Sequence, residues 1–200
     1  MAKKKCEVAD LYDSLEFCPG ETSLPGLRNE AYFVSRHQIT TYPKLPAVTD
    51  DGVSMSSLAT YKGDFSLAAD AVFHKMDILD SKSNNISSSQ GEKPSKSFIN
   101  TITLKYAGNN EAAAGFCRLA NVDDLLFIVR QRDGAYRVIG NEMFATDVKP
   151  SQDSGMQVTD ESGTTIEASV TDIAPAPYYK GHIKTADGII DCATGEITTE

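Results

Sequence analysis

The stretch FINTITLKYAGNNEAAAGFCRLANVDDLLFIVRQRDGAYRVI, residues 98–139, contains the clearest structural pattern of the chain. Phe98, Ile102, Leu104 and Tyr106 fall on one face at a period of two, whereas Thr101, Thr103 and Lys105 take the other face. This period of two is typical of a strand with one face in a core. The stretch therefore opens with a half-buried β-strand.

A helix is predicted directly after this strand. Asn109 or Asn110 can cap its first turn, and Glu111 follows where a negative charge is favourable. An apolar stripe at helical spacing then predicts the face that packs on the core: Ala112, Phe116, Leu119 and Ala120.

A second strand and a hairpin complete the stretch. The continuous apolar run Leu125–Val129 is typical of a strand covered on both faces, and the preceding helix is one candidate cover. We expect Phe116 to pack against this strand. Asp133-Gly134 then favours a tight turn into the run 136–139, because glycine there accepts a positive φ.

The rest of the chain adds shorter strand patterns. We expect strands near residues 31–34, 65–67, 144–148 and 165–170, with a polar loop over 150–163. Residues 72–79 fit a strand or a short helix, and a strand is favoured because it could pair on both flanks. A hairpin around Ala193-Thr194-Gly195 would join Ile189-Ile190 to Ile197. With seven to nine strands and one helix, the predicted class is mainly β, an antiparallel β sandwich or barrel with one flanking α-helix and long loops.

Three parts of the chain are distinguished by their composition. Residues 1–29 contain Cys18-Pro19-Gly20 and Leu24-Pro25-Gly26 without periodicity, which predicts an irregular N-terminal arm. Residues 30–182 form the predicted β domain, and 183–200 a tail. Within the domain, Asp80–Ser97 has Ile86 as its only strongly apolar residue, so we predict a long loop that is mobile in the monomer and orders against a neighbour.

Charge and hydropathy exclude several classes of function. The formal net charge is −9 over 200 residues, so the chain has no basic surface for nucleic acid or an anionic bilayer. No apolar run approaches the ~18 residues of a membrane span. The basic start Met1–Lys5 is followed by Cys6-Glu7, without an apolar stretch, so we expect a protein of the cytosol or one released from it.

No local motif for catalysis or metal binding is present. His37, His74 and His182 stand far apart, and Gly91–Ser97 lacks the second glycine of a phosphate loop. The acidic residues 147, 153, 160 and 161 lack the order of a calcium loop. Four separated cysteines at positions 6, 18, 117 and 192 are expected to be buried or idle thiols, with a Cys6–Cys18 bridge left open. We predict no catalytic, cofactor-binding or metal-binding residues.

Several segments resemble a known family. Gly63–Leu67, Gln90–Phe98, Arg137–Glu142 and Pro175–Tyr179, with the strand–helix–strand unit through Gly134, resemble phage-derived structural proteins of Bacteroidetes. The order of elements over residues ~30 to 182 is similar to bacteriophage major tail tube proteins, which are in turn similar to type VI secretion tube proteins. The arm and the tail have no clear counterpart in that pattern.

The resemblance implies a structural function. It suggests a self-assembling subunit of stacked rings, six-fold by resemblance, that meets other phage tail proteins and no membrane or specific nucleic acid. Its location would be the virion, and the host bacterial cytoplasm during assembly. The predicted inter-subunit contact residues are Arg28, Asn29, Glu30, Ala31, Tyr32, Lys93, Pro94 and Lys96.

Two other classes remain as alternatives. A ligand- or carbohydrate-binding β-sandwich module would be a monomer with exposed aromatic side chains, for which Tyr178-Tyr179 is the candidate pair. A hydrolase would require one of the three histidines within hydrogen-bond reach of a Ser, a Cys or a carboxylate in a cleft.

Overall fold

A computed structural model describes residues 11–157 and 159–199, and most of its regular structure is β. The one α-helix of these described residues is α1, Glu111–Ala120, and one-turn 3-10 helices cover 36–38, 57–59 and 80–82. The strands are β1 Leu27–Ser35, β2 Ile39–Thr41, β3 Ser66–Leu67, β4 His74–Asp77, β5 Asn84–Gln90, β6 Ser97–Tyr106, β7 Leu125–Gln131, β8 Tyr136–Ile139, β9 Asp147–Asp153, β10 Gly163–Asp172, β11 Tyr178–Tyr179, β12 His182–Thr185, β13 Gly188–Asp191 and β14 Ile197–Thr198.

Two sheets form the body of the fold. The five-stranded sheet has the order β11-β8-β7-β1-β4, and the four-stranded sheet has the order β5-β6-β10-β9. Neighbouring strands are antiparallel in both sheets. Smaller sheets, β12-β13-β14 and β2-β3, lie beside them. Both large sheets have open edges, so the predicted mainly β class takes the form of a sandwich.

The first core lies between the two large sheets. On β6, Ile102 and Leu104 are fully buried, and Ile166 faces Leu104 from β10. Phe127 and Val129 of β7 close the core from the five-stranded sheet. Burial of each such side chain contributes about 1.5–3 kcal/mol. The predicted alternation of β6 is confirmed.

A second core covers the other face of the five-stranded sheet. Leu126 and Ile128 of β7 pack there with Ile183 and Ile190 of the three-stranded sheet. Strand β7 is therefore covered on both faces, as its apolar run predicts. The tail hairpin is also confirmed, because Ile190 is paired with Ile197.

Helix α1 begins with Asn110 as its N-cap, and the Asn110 side chain accepts a hydrogen bond from the Ala113 amide at 2.9 Å. Ala113 and Ala120 are buried, and Phe116 is half-buried against the first core. The core-facing stripe thus runs through positions 113, 116 and 120. The inclusion of Ala112 and Leu119 is wrong: both are exposed, Leu119 to 68%, because the helix turns these positions to solvent.

The prediction of a long loop over Asp80–Ser97 is wrong. Residues 84–90 form β5, which pairs along its whole length with β6 and leaves only the turn Gly91–Lys96. Backbone bonds hold this strand, and its inward side chains Asn85 and Ser87 lie at the margin of the core, so no apolar alternation marks it. Similarly, the strand expected at 144–148 begins at Asp147 and extends into the predicted loop.

Residues 12–26 of the predicted arm contain no helix or strand and are exposed, whereas its last residues, 27–29, belong to β1. Cys18 is exposed, and Cys6, the other half of the bridge left open, lies outside the described residues. Over residues 11–157 and 159–199, no helix is long and apolar enough to cross a membrane.

Candidate assembly interface

Five of the predicted contact residues, Arg28–Tyr32, lie on β1. This strand is hydrogen-bonded to β4 on one side and to β7 on the other, so it is no sheet edge. Ala31 and Tyr32 are 1% and 3% exposed, so the folded subunit offers a neighbour almost none of either side chain. Strand β1 lies inside its sheet, because strands are hydrogen-bonded to it on both sides.

The polar residues of this segment stabilise the subunit itself. Arg130 donates to Glu30 at 3.1 Å, and the Tyr32 hydroxyl donates to the same carboxylate at 3.1 Å. Arg28 donates to the Arg132 carbonyl at 3.3 Å. An inter-subunit role for Arg28, Asn29 and Glu30 stays a prediction.

Lys93, Pro94 and Lys96 lie in the turn between β5 and β6, and all three are exposed. The turn is closed by a hydrogen bond from the Ser95 amide to the Glu92 carbonyl at 2.8 Å. Lys93 and Pro94 therefore occupy its apex, where side chains reach furthest from the sheet. This position fits a contact with another molecule.

The longest open edges belong to the four-stranded sheet. Its outer strands β5 and β9 have 7 residues each, whereas the outer strands β4 and β11 of the five-stranded sheet have 4 and 2. No backbone group of the described residues is hydrogen-bonded to the free side of β5 or β9, although helix α1 packs more closely beside β9 than beside any other strand. Unpaired edges of this length invite pairing with another chain.

The two edges differ in chemistry. Strand β9 contains Lys149 and Pro150, which protect edges against indiscriminate pairing. Strand β5 reads NNISSSQ and contains neither a charge nor a proline. Every amide on the free side of β5 can therefore donate to another chain, and this edge is the more open of the two.

The directions of the strands make the two edges complementary. Strand β5 is antiparallel to β6, β6 to β10 and β10 to β9, so β5 and β9 run in opposite directions. A second subunit in the same orientation, placed beside β9, would present its β5 antiparallel to β9. The sheet can thus continue from copy to copy without a change of strand pattern.

The outward face of the four-stranded sheet belongs to neither core and is mostly polar, with Ile86, 53% exposed, and the half-buried Ile99 as its apolar side chains. Small hydroxyl side chains dominate it, and its charges are mixed in sign. Asp147 and Lys149 form an exposed ion pair at 2.8 Å. The other outward residues of the two central strands include Thr101, Thr103, Lys105, Thr165, Glu167, Ser169 and Thr171.

The arrangement of the histidines bears on the hydrolase alternative. His182 Nδ1 lies 3.0 Å from Asp64 Oδ2, with both side chains about half exposed. Among the described residues, no Ser hydroxyl or Cys thiol is hydrogen-bonded to a histidine ring. Cys192 is 5% exposed, and burial raises the pKa of its thiol, which keeps it protonated. The pair at His182 therefore lacks an activated nucleophile beside it.

The acidic residues of the loop after β9 act separately. Asp153 accepts a hydrogen bond from the Gly155 amide, and Asp160 accepts from the amides of Met156 and Gln157. Glu161 forms an ion pair with Lys82 at 3.3 Å. In the described part of the chain, no three potential metal ligands converge.

The aromatic pair Tyr178-Tyr179 forms no exposed platform. Tyr179 is 1% exposed, and its hydroxyl donates to the His182 carbonyl at 3.0 Å. The guanidinium of Arg137 lies over the Tyr178 ring, 4.1 Å from its centre. A sugar ring could not stack on both tyrosines in this arrangement.

Comparison of the chain with family models, with curated proteins and with solved structures gave no match. The assignment of a function therefore rests on geometry and chemistry.

Proposed function

We propose that this protein is a non-catalytic structural subunit that assembles with copies of itself into stacked rings, as a phage tail tube protein does. The observation that carries the proposal is the pair of open, seven-residue edges β5 and β9, which belong to one sheet and run in opposite directions. Contact between β9 of one subunit and β5 of the next is head-to-tail. Such a contact closes into a ring when its rotation divides a full turn.

The polar outward face of the four-stranded sheet supports a channel. In a ring made by pairing these edges, the four-stranded sheets join into one continuous wall. Threonine and serine on this face are uncharged, and Lys105 and Glu167 offset one another. A wall of this kind would not hold a phosphate backbone, since strong binding needs clustered Lys and Arg.

The exposed segments are available for contacts between rings. These are the described arm residues 12–26 and the turn Gly91–Lys96. The six-fold symmetry, the virion location and the phage partners follow from the resemblance alone. A ligand-binding module, in contrast, would remain a monomer at every concentration.

A pair of proline variants tests the edge. Neighbouring residues of a strand point their N–H groups to opposite sides. One of the two variants Ser87→Pro and Ser88→Pro therefore removes a hydrogen bond to β6, and the other removes only an N–H group of the free edge. The blocking variant is the one that keeps the thermal midpoint of the wild type. We expect it to stay monomeric at concentrations where the wild type sediments as rings or tubes.

Ser88→Thr is the matched control, because it keeps the N–H and a good strand former. It should assemble like the wild type in sedimentation velocity and electron micrographs. A wild type that remains monomeric across the concentration series overturns the proposal. Normal assembly of the stable proline variant would equally exclude β5 as the contact.

A further inference from the structure

A cavity of about 240 Å³ opens at the end of the sandwich where β10 ends. It lies between the segment after β2, the segment after β8 and the end of β10. Its mouth carries two apolar side chains that are unusually exposed, Met143 at 59% and Ile173 at 62%. The other residues that contribute to its wall include Tyr42, Lys44, Leu45, Tyr61, Asn141, Glu142 and Asp172.

Asp172 is the buried carboxylate of this cavity, and its side chain continues the inward row of β10. It is 2% exposed. Oδ1 accepts a hydrogen bond from the Ile173 amide at 2.6 Å, whereas Oδ2 accepts none from the described residues. A buried carboxylate oxygen without a donor is costly. Lys44 lines the same cavity but forms no ion pair with Asp172.

Asn141 shapes the segment that borders the cavity. Its side-chain oxygen accepts from the amides of Met143 at 2.9 Å and Phe144 at 2.8 Å, and its amide group donates to the Thr171 carbonyl at 2.8 Å. The apolar mouth is thus held in place by a buried side chain.

The proposed ring brings a lysine to this site. If β9 of one copy pairs along its full length with β5 of the next copy, Asp147 lies opposite Gln90 of that next copy. The turn Gly91–Lys96 of the next copy then lies beside residues 141–146 of the first. Asp147 is paired with Ser169, three residues before Asp172. The apex residue Lys93 then lies at the height of Asp172, about 10 Å away at two strand spacings.

We propose that the pocket at Asp172 receives Lys93 of a neighbouring copy, with the ammonium on Asp172 Oδ2 and the methylene stem against Met143 and Ile173. This inference rests on the proposed ring and names the side chains that fix its register. Lys93 and Lys96 are exposed and make no ion pair with a described carboxylate. The exposed Glu142 at the mouth adds attraction for a cation.

A double-mutant cycle tests the contact. Asp172→Asn keeps the shape of the side chain and its bond from Ile173, and Lys93→Met keeps the stem. Each variant should raise the protein concentration at half-assembly at least tenfold, which corresponds to about 1.4 kcal/mol of assembly free energy. The double variant should lose no more assembly free energy than either single variant, because both substitutions remove the same contact. Lys96→Met and Lys44→Met are matched controls and should change assembly less than threefold.

Cross-linking supplies a readout that does not depend on stability. A carbodiimide should join Lys93 to Asp172 in assembled protein, and in a mixture of ¹⁴N and ¹⁵N subunits mixed-label peptides should be found. If the variants assemble and the losses of the two single variants add up in the double variant, the lysine contact is overturned. Cross-links found only between peptides of the same label overturn it equally. Neither result contradicts the proposed ring. A wild type that never assembles overturns both proposals.

Discussion

Asn100 provides the sharpest test of how the sandwich is held together. Its side chain is fully buried on β6, where Nδ2 donates to the Ala174 carbonyl at 3.1 Å and Oδ1 accepts from the Ala176 amide at 2.9 Å. These two bonds fix the crossing from β10 to β11, and so from one large sheet to the other. Asn100→Ala leaves a buried C=O and a buried N–H without a partner.

Each such unpaired group costs about 1–3 kcal/mol, so the free energy of unfolding should fall by about 4 kcal/mol. The thermal midpoint of a chain of this size should then drop by about 8–16 °C. Urea unfolding followed by circular dichroism at low concentration, where assembly does not contribute, measures the loss.

Asn85→Ala is the matched control, because Asn85 also faces inward on the four-stranded sheet but its side-chain oxygen has no partner. It should cost less than about 1 kcal/mol. The reasoning is refuted if Asn100→Ala loses less than about 1 kcal/mol, or if Asn85→Ala loses as much as Asn100→Ala.

Three further outcomes are expected. Phe116→Ala should cost about 2 kcal/mol in urea unfolding, below the ~3–5 of a fully buried phenylalanine, because its ring is half-buried and meets Phe33 edge-on at 5.0 Å. Burial raises the pKa of Asp172 above 3.8, so the folded subunit holds this proton more tightly than the unfolded chain does. The free energy of unfolding should therefore fall as pH rises from about 4 through the folded pKa, and Asp172→Asn should flatten that fall in urea titrations between pH 4 and 7. A thiol reagent should label exposed Cys18 at once and buried Cys192 only on unfolding, as peptide mass spectrometry would record.

The elements that the sequence predicts well are those whose side chains define a face. Strand β6 alternates because one face is buried, and β7 is continuously apolar because both faces are. The turn at Gly134 is visible because its φ of 98° favours glycine. In each case a local pattern of neighbouring residues reflects the burial or the backbone conformation that the element requires.

The elements that the sequence does not predict are stabilised by backbone hydrogen bonds or by single buried polar side chains. Strand β5 is fixed by backbone bonds to β6, which any sequence can make, so NNISSSQ resembles a loop. Asn100 is a single buried polar residue whose partners, Ala174 and Ala176, lie in a segment that no periodicity connects to β6. Asp172 is a single buried carboxylate at the end of β10, and no local pattern marks it as buried. Ala31 and Tyr32, predicted as contact residues, are buried on an inner strand, because the sheet order, and not the local pattern, decides which strands are edges.

The outward face of the four-stranded sheet has a practical consequence for engineering. Its threonines and serines contribute to neither core, so their replacement leaves the packing of the subunit unchanged. Acidic, basic or thiol-bearing residues can therefore replace Thr101, Thr103 or Ser169 without a change in either core. If the rings form as proposed, one stable scaffold would yield a series of nanotubes that differ only in the chemistry of their bore.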